Sequence, residues 1–136
     1  MFEHKKIIIN GKEYYQTIHT TTKLYTKSSY YLNGKLHRED GPAIEHISGT
    51  KEWFKNGKYH REDGPAITDT YGYEAWYKNG KHHRDNNNYA IKYASGQKEW
   101  WVNGKRHRED GPAIEYADGS KEWFVNGIKK NIINYA

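Results

Sequence analysis

Cysteine is absent from the 136 residues, and with it any disulfide framework, thiolate nucleophile or cysteine-ligated zinc site. Proline occurs three times and methionine once, and leucine is scarce. Long apolar runs are missing as well. The run nearest the start, Ile7 to Ile9, is three residues long, against roughly 20 for a membrane-spanning helix and about 7 to 15 for the core of a signal peptide. No stretch repeats its apolar residues at the helical period for more than a turn. These absences predict a soluble, cytoplasmic, helix-poor protein.

What the chain has instead is rings. Five Trp, thirteen Tyr and three Phe, with many Ile and Thr, describe a sheet former whose apolar area is aromatic. A disordered chain of this polarity would be depleted in such residues.

The rings fall in a repeat. Asn-Gly recurs at 10–11, 33–34, 56–57, 79–80, 103–104 and 126–127, at spacings of 23, 23, 23, 24 and 23, and a fixed period of this length marks a stacked array. Each Asn-Gly from 33–34 onward is preceded by an aromatic pair, from Tyr30-Tyr31 through Trp53-Phe54, Trp76-Tyr77 and Trp100-Trp101 to Trp123-Phe124. It is followed by His-Arg-Glu-Asp-Gly-Pro-Ala-Ile at 37–44, 60–67 and 107–114. Asn-Gly between β-formers predicts a type I′ hairpin, in which both central residues need positive φ. Ser48-Gly49, Tyr71-Gly72, Ser95-Gly96 and Asp118-Gly119 lie midway between and predict the return turns. The chain therefore reads as one all-β domain: an elongated single-sheet meander of stacked 23-residue β-hairpin repeats. Residues 1–32 form a divergent N-terminal cap repeat, 33–127 the regular repeats and 128–136 a C-terminal cap.

Alternation along a strand sends Trp53, Trp76, Trp100 and Trp123 to one face and Phe54, Tyr77, Trp101 and Phe124 to the other. One column should form the core with Ile44, Ile67, Ile91 and Ile114. The other is either packed beneath the His-Arg-Glu-Asp loops or exposed as a binding stripe. The loops themselves look catalytic, but three identical copies about 10 Å apart, two strand spacings, cannot share one metal through ligands near 2 Å. The reading is structural: Arg pairs with a loop carboxylate, and Gly-Pro ends the turn. No cofactor and no catalytic residue is expected.

The segment Glu99-Trp100-Trp101-Val102-Asn103-Gly104-Lys105-Arg106-His107, followed by Tyr116-Ala117-Asp118-Gly119-Ser120-Lys121, resembles the MORN (membrane occupation and recognition nexus) repeat in period and core residues. The resemblance covers roughly residues 30 to 127. Its Arg-Glu-Asp-Gly-Pro-Ala variant is similar to repeats of bacterial, phage and giant-virus proteins. That resemblance implies a phage or viral accessory protein that inhibits host defence, by blocking a host or bacterial protein or by sequestering a nucleotide signal.

Residues 33–125 hold 15 basic and 15 acidic side chains, so a continuous basic track for duplex DNA is not expected; the excess charge sits at the ends. Only the fourth repeat, 79–102, is positive, at +2, and it is also the irregular one: His83-Arg84-Asp85-Asn86-Asn87-Asn88-Tyr89 has one residue more and no Gly-Pro. The mixture of His82, His83, Arg84, Asn86, Asn87 and Tyr89 with Trp76, Trp100 and Trp101 suits an anionic, nucleotide-like ligand. The alternative is ordinary repeat decay at a tolerant loop. Function is thus expected to be that of a non-catalytic scaffold binding a protein or a small anionic ligand. A peripheral module for anionic lipid surfaces is the alternative, a phosphoesterase is less supported, and homo-oligomerisation through an aromatic face is open.

Overall fold

The computed structural model describes residues 1–22 and 25–131. Every pairing is antiparallel, and among the described residues there is no helix, hence none long and apolar enough to cross a membrane. A 13-stranded sheet meanders from Phe2–Ile9 at one edge to Ile128–Lys130 at the other. The first hairpin is long, Phe2–Ile9 against Lys12–Thr20. Most strands of the repeats proper are two residues. The expected cap at 128–136 closes the last hairpin, with Trp123 to Val125 facing Ile128 to Lys130; residues 132–136 lie outside the described part.

The six Asn-Gly turns are as the sequence predicts. Their Asn residues have φ of 49° to 50°, and each Gly is positive too, the two left-handed residues of a type I′ turn. The return turns are of another kind. In His46–Thr50 the Gly49 N–H bonds the His46 carbonyl and the His46 N–H the Thr50 carbonyl, with Gly49 at φ 98°: a type I turn closed by a left-handed glycine.

The ladder splits in each repeat at the first ring of the aromatic pair. The Trp53 N–H donates to the Ala66 carbonyl at 2.7 Å, while its own carbonyl accepts from His60 N–H at 3.1 Å. Tyr30, Trp76 and Trp100 repeat this with Ala43 and His37, Ala90 and His83, and Ala113 and His107. One branch continues in the main sheet and the other becomes an Asn-Gly hairpin, such as Phe54–Lys55 with Lys58–Tyr59. Successive hairpins are tied by bonds such as Gly57 N–H to the Leu36 carbonyl and Arg38 N–H to the Phe54 carbonyl. The loop His-Arg-Glu-Asp-Gly-Pro fills the fork.

The core lies where hairpin meets sheet. Cross-strand partners share a face, so the register places Ile44, Glu52, Ile67, Ala75, Ile91, Glu99, Ile114 and Glu122 in one row. Phe54 packs on Ala43 and Ile44, flanked by Leu36 and Tyr59. From there rings stack along the array: Phe54–Tyr59 at 4.2 Å, Tyr59–Tyr77 at 4.9 Å, Tyr77–His82 at 4.1 Å and His82–Trp101 at 5.2 Å between centroids. The Phe54, Tyr77, Trp101 column is therefore the core column. Ala43, Ala66, Ala75, Ala90 and Ala113 are fully buried at or beside the fork.

Carboxylates enter this core only when held. Glu52 accepts from the Tyr59 hydroxyl at 2.7 Å and meets His46 Nε2 at 2.8 Å. Glu99, 2% exposed, accepts from Arg106 Nε at 2.8 Å. Partial burial and a hydrogen bond to Glu99 push the Tyr93 hydroxyl up to about 12.

Candidate anion-binding groove

The regular loop is organised around its arginine. The Arg61 guanidinium lies 3.9 Å from the centre of the Trp53 ring, its Nε donates to Asp63 at 2.9 Å, and Nη1 donates to the Pro65 carbonyl at 3.1 Å. Arg38 does the same on Tyr30 at 4.2 Å, and Arg108 stacks on Trp100 at 4.0 Å and donates Nη1 to the Pro112 carbonyl, but its Nε, 3.4 Å from Asp110, makes no hydrogen bond. Glycine is needed on the far side of the guanidinium: a Cβ on Gly41, Gly64 or Gly111 would stand 3.0, 2.9 or 2.8 Å from the arginine Cζ. The first aromatic column is thus packed under the loops, which decides between the two readings the sequence leaves open.

The histidines clamp one repeat to the next. Nδ1 of His37, His60, His83 and His107 accepts the backbone N–H of Asn56, Asn79, Asn103 and Asn126 at 2.9 to 3.0 Å. The proton then belongs on Nε2, which faces a carboxylate two residues on: 3.5 Å to Glu39, 2.7 Å to Glu62, 2.7 Å to Asp85 and 3.4 Å to Glu109. In His60 and His83 both ring nitrogens are hydrogen-bonded, whereas His37 Nε2 is buried without a hydrogen bond. Among the described residues no group of three or more His, Asp or Glu is arranged to hold a metal.

The irregular loop keeps this frame with one exception. Arg84 stacks on Trp76 at 3.9 Å, its Nη1 donates to the Tyr89 carbonyl at 3.1 Å, and His83 clamps Asn103. The position two residues on is Asn86, however, where the other loops have Asp40, Asp63 and Asp110. Arg38, Arg61 and Arg108 each meet a carboxylate within 3.4 Å; among the described residues Arg84 meets none within 4.0 Å. Asn86 and Asn87 take left-handed φ of 63° and 57° in place of the Gly-Pro turn. The enlarged loop is pinned: Asn87 Nδ2 donates to Asp110 at 2.7 Å, and the Trp100 indole N–H donates to the Asn87 carbonyl at 3.1 Å.

Grooves run between successive loops, and Arg84 borders two of them. One, of about 470 Å³, lies between Asn86, Asn88 and the Arg108 to Asp110 segment. The other, about 340 Å³, lies between Arg61, Asp63 and His83, Asn88. Carboxylates on their rims are already engaged: the His83 hydrogen bond holds Asp85 below the usual range, and the Asn87 amide does the same for Asp110. They remain ionised, and Glu109 lines the first groove while Glu62 and Asp63 line the second, so the rims repel a polyanion lying along them.

Of the residues singled out by sequence, Trp76, His83, Arg84, Asn86, Asn87, Tyr89 and Trp100 gather around this loop. Trp101 lines the larger of these two grooves and its carbonyl accepts from the Arg84 N–H at 3.2 Å, whereas His82 borders neither. Their rings stack in the core column, and burial lowers the His82 pKa. Asp110, which anchors the loop from the next repeat, escapes sequence reasoning because its partner Asn87 lies 23 residues away. Comparison with known families, curated proteins and solved structures finds no match.

Proposed function

We propose that this chain is a non-catalytic repeat scaffold whose irregular fourth repeat binds an anionic group, a phosphate or carboxylate carried by a small ligand or by a protein partner. The observation that carries the reading is the Arg84 guanidinium, held rigid by Trp76 and the Tyr89 carbonyl but lacking the acid its three counterparts have. A preorganised guanidinium with free N–H groups is the preferred receptor for such oxygens. Ring geometry argues against a stacked nucleobase: Arg84 covers Trp76, and Tyr89 lies edge-on to Trp76 and Trp100. A phosphate end is therefore the recognised part of any nucleotide-like ligand. A host-defence target for such a scaffold rests on the resemblance to viral repeats alone.

The test is a calorimetric titration with inorganic phosphate and a nucleoside monophosphate, comparing the natural chain with Asn86→Asp. Asp tolerates a left-handed φ and restores the internal acid, so binding should weaken by about tenfold or more, the worth of one charge-assisted hydrogen bond. Unchanged binding in Asn86→Asp would overturn the reading.

A second reading, contact with an anionic lipid surface, has one observation in its favour. Lys35, Lys58, Lys81 and Lys105 form a column, each stem under the next turn near Gly57, Gly80, Gly104 and Gly127. All four are exposed, and none has a carboxylate within 4.0 Å among the described residues. The neutral sum over residues 33–125 conceals this column. Sedimentation with anionic vesicles that falls off with salt would support it.

A further inference from the structure

Five of the six Asn-Gly pairs share the tripeptide Asn-Gly-Lys, at 10–12, 33–35, 56–58, 79–81 and 103–105, and all six Asn have nearly the same φ. Local sequence and backbone are thus matched. What differs is how the preceding repeat holds them. At 56–57, 79–80, 103–104 and 126–127 the Asn N–H is bonded to a histidine Nδ1. The glycine N–H of the same turns is bonded to the carbonyl of Leu36, Tyr59, His82 or Arg106 at 2.8 to 2.9 Å. At 10–11 and 33–34 neither clamp is present among the described residues. The cause at Asn33 is visible: the residue 19 positions before it, where later repeats carry His37, His60 and His107, is Tyr14, which offers no ring nitrogen. Asn10 belongs to the hairpin of the edge strand Phe2–Ile9.

Asn-Gly is chemically labile because the unhindered glycine nitrogen can attack the asparagine side chain, and asparagine is a thermolabile residue for this reason. From the distribution of clamps we propose that Asn10 and Asn33 are sites of spontaneous deamidation, and that the stacked turns protect Asn56, Asn79, Asn103 and Asn126. The glycine nitrogen loses its proton and bonds to the asparagine Cγ. The amide nitrogen leaves as ammonia, taking up that proton. One water then opens the cyclic imide to aspartate or isoaspartate. Oxidation states do not change, and the new carboxyl places a negative charge in the turn.

A glycine nitrogen whose N–H is held by a carbonyl must break that bond before it can react. A net hydrogen bond slows reaction by about fivefold, the equivalent of about 1 kcal/mol. The experiment is peptide mapping by mass spectrometry of the full chain kept folded at mildly alkaline pH, sampled over days, beside the same chain in concentrated urea. Asn10 and Asn33 should each convert about fivefold or more faster than any of the other four when folded. In urea the five Asn-Gly-Lys sites should converge. Equal rates in the folded chain would overturn the inference, and so would the same ranking persisting in urea, because sequence and not stacking would then set it.

Discussion

Replacing Gly64 with alanine tests the arginine-centred loop where backbone and guanidinium lie close together. The new Cβ would stand 2.9 Å from Arg61 Cζ and 3.0 Å from Nη1, so the guanidinium must rise from the Trp53 ring. The loss comprises a cation–π contact of about 0.5–2 kcal/mol and the bond to the Pro65 carbonyl, about 1.5 kcal/mol. The ion pair with Asp63, whose side chain is 85% exposed, adds little. Alanine returns about 0.4–1 kcal/mol through the unfolded chain, since Gly64 does not have positive φ. The net destabilisation should be about 2 kcal/mol.

The assay is urea unfolding in a double-mutant cycle with Arg61→Ala. If Gly64 matters only because Arg61 needs the space, Gly64→Ala should stabilise the Arg61→Ala background by about 0.4–1 kcal/mol, and the coupling should equal about 3 kcal/mol. The same cost in both backgrounds would refute the packing argument and point to the backbone of the turn.

Three further outcomes follow from the core. Glu99→Gln leaves Arg106 beside a neutral amide and should lower stability by about 2–3 kcal/mol in chemical denaturation, below the full cost of breaking a buried pair because Arg106 is 39% exposed. Ala66→Val places two extra methyl carbons at the fully buried fork between Trp53 and Ala75 and should cost about 1–3 kcal/mol by thermal unfolding. Burial holds His82 below its ordinary value of 6.5, so the unfolded chain binds the proton more readily. That contribution is complete above about pH 6.5 and is lost as pH falls through the folded value, and His82→Phe should make stability less pH-dependent in that window.

The period, the six left-handed asparagines, the return turns and the all-β class were legible because each rests on local chemistry repeated at fixed spacing. The fork was not. Trp53 and Phe54 look alike as neighbours on a strand, and only the ladder shows that Trp53 is shared between two partners while Phe54 turns into the core with Ile44. The buried alanines were hidden for a related reason: Ala43 and Ala66 carry little hydropathy, and their place at the fork shows only in the ladder. Per-repeat charge sums singled out the fourth repeat as the positive one, but they averaged arginines lying flat on rings with lysines exposed on the turns.

Whether that repeat is a site or a worn copy can be argued from what it preserves. A decaying loop loses contacts without replacing them. Here the stack on Trp76, the clamp on Asn103 and the bond to the closing carbonyl match the regular repeats in distance. The added residue is fastened by bonds of its own, to Asp110 and from Trp100. Tyr89 takes the place of proline and braces Arg84 from a second direction, 5.1 Å from its ring centre. The contact given up is the acid on Arg84. Because His83 and Arg84 also hold the fold, replacing them with alanine would confuse binding with stability, whereas Asn86→Asp touches only the missing acid. Its mirror image is Asp63→Asn, which should free Arg61 at little cost to stability, since that ion pair is exposed. Phosphate titration of Asp63→Asn should then reveal a second binding event. Its absence would mean that the enlarged loop, and not the unpaired guanidinium, makes the fourth repeat different.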